Sequence, residues 1–220
     1  MKMRVLLDTA PLPDGGELQL YKRDTEFSIT LGNIELMSSR LSKSEEALAT
    51  LACEKLAAHP APRILIGGLG MGFTLRAALR TLGPKARIDV AELVPEVVTW
   101  ARGPMAEIFG DSLDDPRVSL AVADVAQFIL PGSEYDAILL DVDNGPEGLV
   151  QDANDALYKR RGLLDARDAL KPGGILAVWS ITPNGPFTNR LKRAGFEVEE
   201  QVIRAHGTRH VVWLATKARG

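Results

Sequence analysis

An α/β fold, with helices on both faces of a seven-stranded and mostly parallel sheet, is predicted by three observations. From residue 63 onward, short apolar runs alternate with helical stretches, the pattern of βαβ units. The first four runs each end in a glycine-rich turn or an acidic residue: ILIGG at 64–68, IDVAE at 88–92, VSLAVAD at 118–124 and YDAILLD at 135–141. Three more follow, ILAVWS at 175–180, FEVEEQVI at 196–203 and HVVWLATK at 210–217, the last two close enough to pair antiparallel. This is the order of a Rossmann-like three-layer α/β/α sandwich. A small β-rich extension with a linking helix is expected over residues 1–60, ahead of a nucleoside-binding body over 61–220.

Each element has a local reason. Pro13-Asp14-Gly15-Gly16 reads as a turn, and ELQLYKRD at 17–24 alternates as a first strand. EFSITLGNIELMSS at 26–39 alternates too, with Gly32-Asn33 as a hairpin turn. A helix is predicted over 42–58: Ser42 or Ser44 can cap it, Glu45 and Glu46 suit its positive end, and Leu48, Leu51, Cys53 and Leu56 form a stripe. His59-Pro60-Ala61-Pro62 ends it. Further helices are expected over 73–82, 95–109, 125–129, 153–170 and 187–194, with Lys171-Pro172-Gly173-Gly174 as a turn.

Composition bounds the function. The 220 residues are 45% hydrophobic and 25% charged, as in soluble globular proteins. A net charge of −3 argues against a nucleic-acid binder held by phosphate contacts. Cys53 is the single cysteine, so an internal disulfide and thiolate metal clusters are excluded, and its apolar helical setting reads as core. No run of 18 uncharged apolar residues suggests a membrane helix, and Asp8 interrupts the N-terminal stretch too soon for a signal peptide. A cytoplasmic protein with no membrane partner is expected. The N-terminal strands have edges that could pair between two copies in a homodimer.

The strand ends carry the chemistry. In a parallel sheet they line one edge, where ligands bind. Gly68-Leu69-Gly70-Met71-Gly72 follows a strand and opens a helix, so its backbone can approach a ligand and the helix offers free N–H groups. The spacing is GxGxG, not the GxGxxG of dinucleotide sites, and no Lys-Ser/Thr pair follows as in triphosphate loops. Glu92, with Leu93 beside it, lies 20 residues beyond Gly72 and can accept both hydroxyls of a ribose. Asp124 can accept the exocyclic amine of adenine, next to the backbone of Val125. Asp141 and Asp143, with Asn144, end the fourth strand; such carboxylates suit a base or a clamp on a cationic amine. No third ligand beside Asp141 and Asp143 can be placed, so no metal is expected. Trp179 could line a substrate pocket, whereas His206 and His210 read as a surface turn.

These residues resemble the spermidine synthase family of the class I S-adenosylmethionine-dependent methyltransferase fold. The likeness covers nearly the whole chain. The family's GGGDGG loop is similar to Gly68–Phe73, its acidic residue after strand two to Glu92, its GD adenine motif to Ala123-Asp124, and its DSSDP catalytic loop to Asp141-Val142-Asp143-Asn144-Gly145. Its YQE triplet is similar to Ser44-Glu45-Glu46. The resemblance implies a thio-nucleoside at the glycine loop and a small-molecule acceptor beside Asp141.

There are departures. The loop aspartate that holds the amine of decarboxylated S-adenosylmethionine is Met71, the tyrosine and glutamine of YQE are Ser44 and Glu45, and the second catalytic-loop aspartate is Asn144. The tyrosine-proline segment of the polyamine tunnel is replaced by Arg204 to Arg209, whose charge works against a cationic acceptor. Methyl transfer from S-adenosylmethionine to a small nucleophile is therefore the expected reaction. The alternatives are aminopropyl transfer to a polyamine from the decarboxylated compound, and a non-catalytic nucleoside-binding module.

Overall fold

Every second residue of the central strands faces the same way, and the core divides accordingly. Ile64 and Ile66 of β5 (Arg63–Gly67) join one apolar cluster and Leu65 the other. In β8 (Tyr135–Leu140), Ala137 and Leu139 join the first, and Ile138 and Leu140 the second. A strand buried on both faces reads as a continuous apolar run, which is why these segments lack polar alternation. The structure is a computed structural model describing residues 3–13, 15–142, 156–205 and 207–219.

The large sheet adds β6 (Arg87–Glu92), β7 (Val118–Val122), β9 (Leu170–Ser180), β10 (Phe196–Ala205) and β11 (Thr208–Lys217). Its order is β10-β11-β9-β8-β5-β6-β7. The pairs from β9 through β7 are parallel, whereas β11 runs antiparallel to both its neighbours. The chain order reverses at β5, which lies between β8 and β6, so a crevice opens at their C-terminal ends. The helices are α1 (Lys43–Glu54), α2 (Phe73–Thr81), α3 (Pro95–Arg102), α4 (Ala106–Phe109), α5 (Arg160–Ala169) and α6 (Gly185–Arg193).

A second, antiparallel sheet of four strands precedes this body: β1 (Val5–Pro11), β2 (Glu17–Arg23), β3 (Glu26–Leu31) and β4 (Ile34–Ser38). Its inward residues Leu18, Leu20, Phe27 and Ile29 share the apolar cluster that holds Ile64 and Leu139. The Trp100 indole N–H also donates to Asp8 across 2.7 Å, tying β1 to α3.

The structure amends the sequence reading in several places. β1 is an additional strand: Val5, Leu6 and Leu7 are exposed, so no burial pattern marked it, and its identity comes from pairing with β2. The helix expected over 95–109 is broken in two at Gly103-Pro104, where proline has no N–H to continue the ladder. The helix expected at 125–129 is a single 3-10 turn over Val125–Gln127. Lys171 to Gly174 lie within β9, accommodated by a register shift against β8. Ser42 precedes α1 without a side-chain cap, and the helix expected over 153–170 is, in its described part, a helical turn at 156–158, a bend at Lys159 and α5 over Arg160–Ala169. Among the described residues no helix is long and apolar enough to cross a membrane.

Two glycines of the turn after β5 are demanded by the fold itself. Gly68 has φ +87°, and a Cβ there would sit 2.5 Å from the Asp141 carbonyl oxygen. Gly72 has φ +74°, and its Cβ would run into the Phe109 ring. Gly72→Ala should therefore lower unfolding free energy by about 2–4 kcal/mol, from the left-handed backbone and the crowding together. A urea midpoint unchanged from the parent would refute this account of the turn.

Candidate functional site

The crevice at the reversal point holds a cavity of about 160 Å³. That is room for far more than one water, which needs about 10–15 Å³. The turn after β5 forms one wall. Gly68, Leu69, Gly70 and Met71 all line the cavity, whereas Gly72 lies outside the lining and caps α2 in a left-handed conformation. Gly70 is the glycine that faces the small sheet: a Cβ there would lie 3.2 Å from the Met37 sulfur. Met71 is buried, so its thioether replaces a charged side chain with an apolar surface.

Glu92 ends β6 as a buried carboxylate. Oε2 accepts the Leu69 N–H at 2.8 Å and Oε1 the Val94 N–H at 2.9 Å. Burial raises its pKa, opposed by backbone N–H groups of Val94, Leu69, Gly70 and Leu93. Glu92 thus braces the glycine turn while lining the cavity, with Leu93 beside it. Asp124 follows β7; its Oδ1 accepts the Ala126 N–H at 2.8 Å and caps the 3-10 turn. Asp124 and Val125 both line the cavity.

Asp141 follows β8 on the same rim. The Thr74 hydroxyl of α2 lies 2.6 Å from Asp141 Oδ2 and 3.2 Å from the Glu45 carbonyl, and the shorter contact takes its one proton. Burial first, then repulsion from Glu45, push Asp141 up to about 7 against that hydrogen bond. Asp143 and Asn144 lie outside the described residues. Among the described residues no cluster of three or more His, Cys, Asp or Glu could hold a metal ion.

The structure also brings in residues that the sequence reading did not assign to the site. Glu45, from the first turn of α1, lines the cavity, and its own pKa is raised chiefly by burial. Leu12, Leu18, Ile29, Leu36 and Met37 of the small sheet form an apolar roof. The alternation of β2 and β3 announced inward faces, but not what they would cover. Trp179 lines the cavity as expected. His210 stacks on Trp179 with ring centroids 5.4 Å apart, so it is a half-buried neighbour of the site rather than a surface turn residue. Arg204 and Arg209 are exposed register partners on β10 and β11, and neither lines the cavity. Their charge therefore does not weigh against a cationic acceptor.

The strand order and the cleft at its reversal point define a class I S-adenosylmethionine-dependent methyltransferase-like fold. The chain belongs to the spermine/spermidine synthase domain family, whose model matches residues 45–187. It is 29% identical over 145 residues to the polyamine aminopropyltransferase of Mycobacterium tuberculosis (strain CDC 1551 / Oshkosh), covering 61% of this chain and 27% of that protein. It is 30% identical over 159 residues to polyamine aminopropyltransferase 1 of Hyperthermus butylicus, covering 68% of this chain and 52% of that one. The chain thus spans about half, or less, of these curated relatives. The solved spermidine synthase of Thermotoga maritima superposes with a TM-score of 0.76 at 19% identity, covering 98% of this chain and 74% of that one. Human methyltransferase-like protein 13 with SAH gives 0.58 at 23% identity, covering 80% of each chain.

Two outcomes test this geometry. Glu92→Ala should cost about 1–3 kcal/mol of stability without any ligand, because it orphans two backbone N–H groups; chemical denaturation would read it. Asp141 binds its proton more tightly folded, near 7, than at its ordinary 3.8, so folding takes up a proton between those values and stability falls as pH rises through them. Asp141→Asn keeps an acceptor for Thr74 and removes that loss. Its melting temperature should pull ahead of the parent's by a few degrees between pH 4 and pH 8. A difference independent of pH would contradict the burial argument.

Proposed function

We propose that this protein transfers an aminopropyl group from decarboxylated S-adenosylmethionine to the amine of a polyamine-type acceptor. One observation carries the reading: four carboxylates, Glu45, Glu92, Asp124 and Asp141, line the cavity, and no lysine, arginine or histidine does among the described residues. Such a cavity favours cations and repels anions. Decarboxylated S-adenosylmethionine carries a sulfonium and an ammonium and no carboxylate, so it matches that field. Ordinary S-adenosylmethionine would bring a carboxylate with no counter-charge to meet it. The family match and the names of the relatives point the same way. Methyl transfer, expected from Met71 and the arginines, gives way: the missing loop acid is offset by other acids on the rim, and the arginines stand outside it.

In this reading Glu92 takes the ribose hydroxyls, Asp124 and the Val125 backbone the adenine, and Gly68 to Met71 the sulfonium region. Asp141, with its pKa near neutrality, accepts the proton of the attacking amine. The amine nitrogen bonds to the carbon beside sulfur, the carbon–sulfur bond breaks, and its electron pair returns to sulfur as a neutral thioether. Alignment under the apolar roof supplies much of the rate, since the sulfonium is already a good leaving group.

Incubation with putrescine and decarboxylated S-adenosylmethionine should release 5′-methylthioadenosine, and Asp141→Asn should slow it by about 10²–10⁴-fold, the span of a general base. Release of S-adenosylhomocysteine from the ordinary compound with a small nucleophile would instead restore methyl transfer. Binding without turnover of either would leave a nucleoside-binding module.

A further inference from the structure

Helix α1 carries two adjacent glutamates in its first turn, and the fold treats them differently. Glu46 turns outward and is paired with Arg80 at 3.1 Å. Glu45 turns to the cavity. Its only side-chain donor is the Ser44 hydroxyl, 2.6 Å from Oε2, and no cation pairs with it among the described residues. Asp141 has the same arrangement, with the Thr74 hydroxyl on Oδ2 and no ion pair. Two carboxylates thus meet in one largely apolar cavity, each with one side-chain hydroxyl donor and no cation among the described residues.

Such a pair is costly unless a cation joins it. A primary ammonium has three N–H donors on a compact centre and can reach carboxylates on two walls. The glycine turn cannot supply this charge, because Met71 stands there, 2% exposed. Glu92 uses both oxygens on backbone N–H groups, and Asp124 uses one to cap the turn that follows it. Glu45 and Asp141 are the lining carboxylates that remain, with no cation beside either among the described residues.

We propose that Glu45 anchors the primary ammonium of the aminopropyl donor, which leaves Asp141 to accept the proton of the attacking amine. The inference rests on the aminopropyl-transfer reading and names the group that selects its donor. A carboxylate on the carbon bearing that amine would face Glu45 and Asp141 together, so Glu45 also sets the preference for the decarboxylated compound. The anchor comes from α1 rather than from the glycine turn.

The test is calorimetry of Glu45→Gln, an isosteric change that keeps an acceptor for Ser44. The ligands are decarboxylated S-adenosylmethionine, S-adenosylmethionine and 5′-methylthioadenosine, which is the same thio-nucleoside without the amine. The expected result is a tenfold or greater loss of affinity for the decarboxylated compound, a narrowed gap to S-adenosylmethionine, and methylthioadenosine binding within twofold of the parent. The last ligand also reports that the variant is folded. Equal losses for the amine-bearing ligand and methylthioadenosine, or no loss for either, would overturn the role given to Glu45 and leave the aminopropyl reading standing. A parent protein that binds methylthioadenosine and S-adenosylmethionine but not the decarboxylated compound would overturn that reading and this inference together.

Discussion

The rim of the sheet keeps its shape because one buried carboxylate has four backbone N–H groups around it. The turn after β5 has few side chains with which to hold itself, since Gly68, Gly70 and Gly72 all adopt positive φ. Glu92 supplies the missing tie from the neighbouring strand, accepting from Leu69 in the turn and from Val94 at the start of α3. Two consecutive βα connections are thereby locked to each other. The N-terminal ends of α2 and α3 add favourable dipoles near the charge. A charge so placed is expensive to bury, and the raised pKa of Glu92 records that cost. The wall of the cavity depends on this balance.

The unpaired acids of the cavity are informative because the molecule neutralises acids elsewhere. Asp89 is paired with Arg63 at 2.9 Å, Asp136 with Lys171 at 2.9 Å and Asp115 with Arg117 at 2.8 Å. The bond to Arg117 holds Asp115 down at about 2. Asp141 moves the opposite way: burial first, then repulsion from Glu45, push it up, and no cation pairs with it among the described residues. Repulsion left in a folded state is relieved when a ligand supplies the opposite charge, so binding and stability become linked. Sites that keep such strain are functional candidates, because nothing in folding favours it.

Much of this was legible in the sequence because strand ends are local features. Apolar runs located all seven strands of the large sheet, and the first four were closed by a glycine or an acid. They also brought Gly68, Gly70, Met71, Glu92, Leu93, Asp124, Val125 and Asp141 to one cavity. Other features depend on contacts distant in sequence. β1 exists through its pairing with β2, and no periodicity in its own residues reveals that. Glu45 and Thr74 reach Asp141 only after α1 and α2 pack over the end of β8; in the sequence Glu45 reads as a helix-start charge and as the counterpart of the YQE glutamine, with no place at the site given to it. Arg204 and Arg209 were misjudged for a related reason. Their place in the resemblance, where the family has its tyrosine-proline segment, suggested the site, but hairpin register sets them opposite each other and exposed.

In the proposed reaction the small sheet would sharpen the acids' selection of ligands by charge. Its residues Leu12, Leu18, Ile29, Leu36 and Met37 give the cavity an apolar wall close to the carboxylates. At 4 Å, two unit charges interact by about 1 kcal/mol in bulk water and about 4 kcal/mol at an effective dielectric constant near 20. The same four carboxylates on an open surface would therefore discriminate weakly between ligands of different charge. Under a roof they can separate a compound with a carboxylate from one without. The bond from Trp100 to Asp8 matters in that light, because it holds the roof's outer strand to α3, which begins just beyond Glu92. In the proposed reaction the roof and the acids would act as one device: apolar walls for a nucleoside, and charge that counts because those walls lower the dielectric.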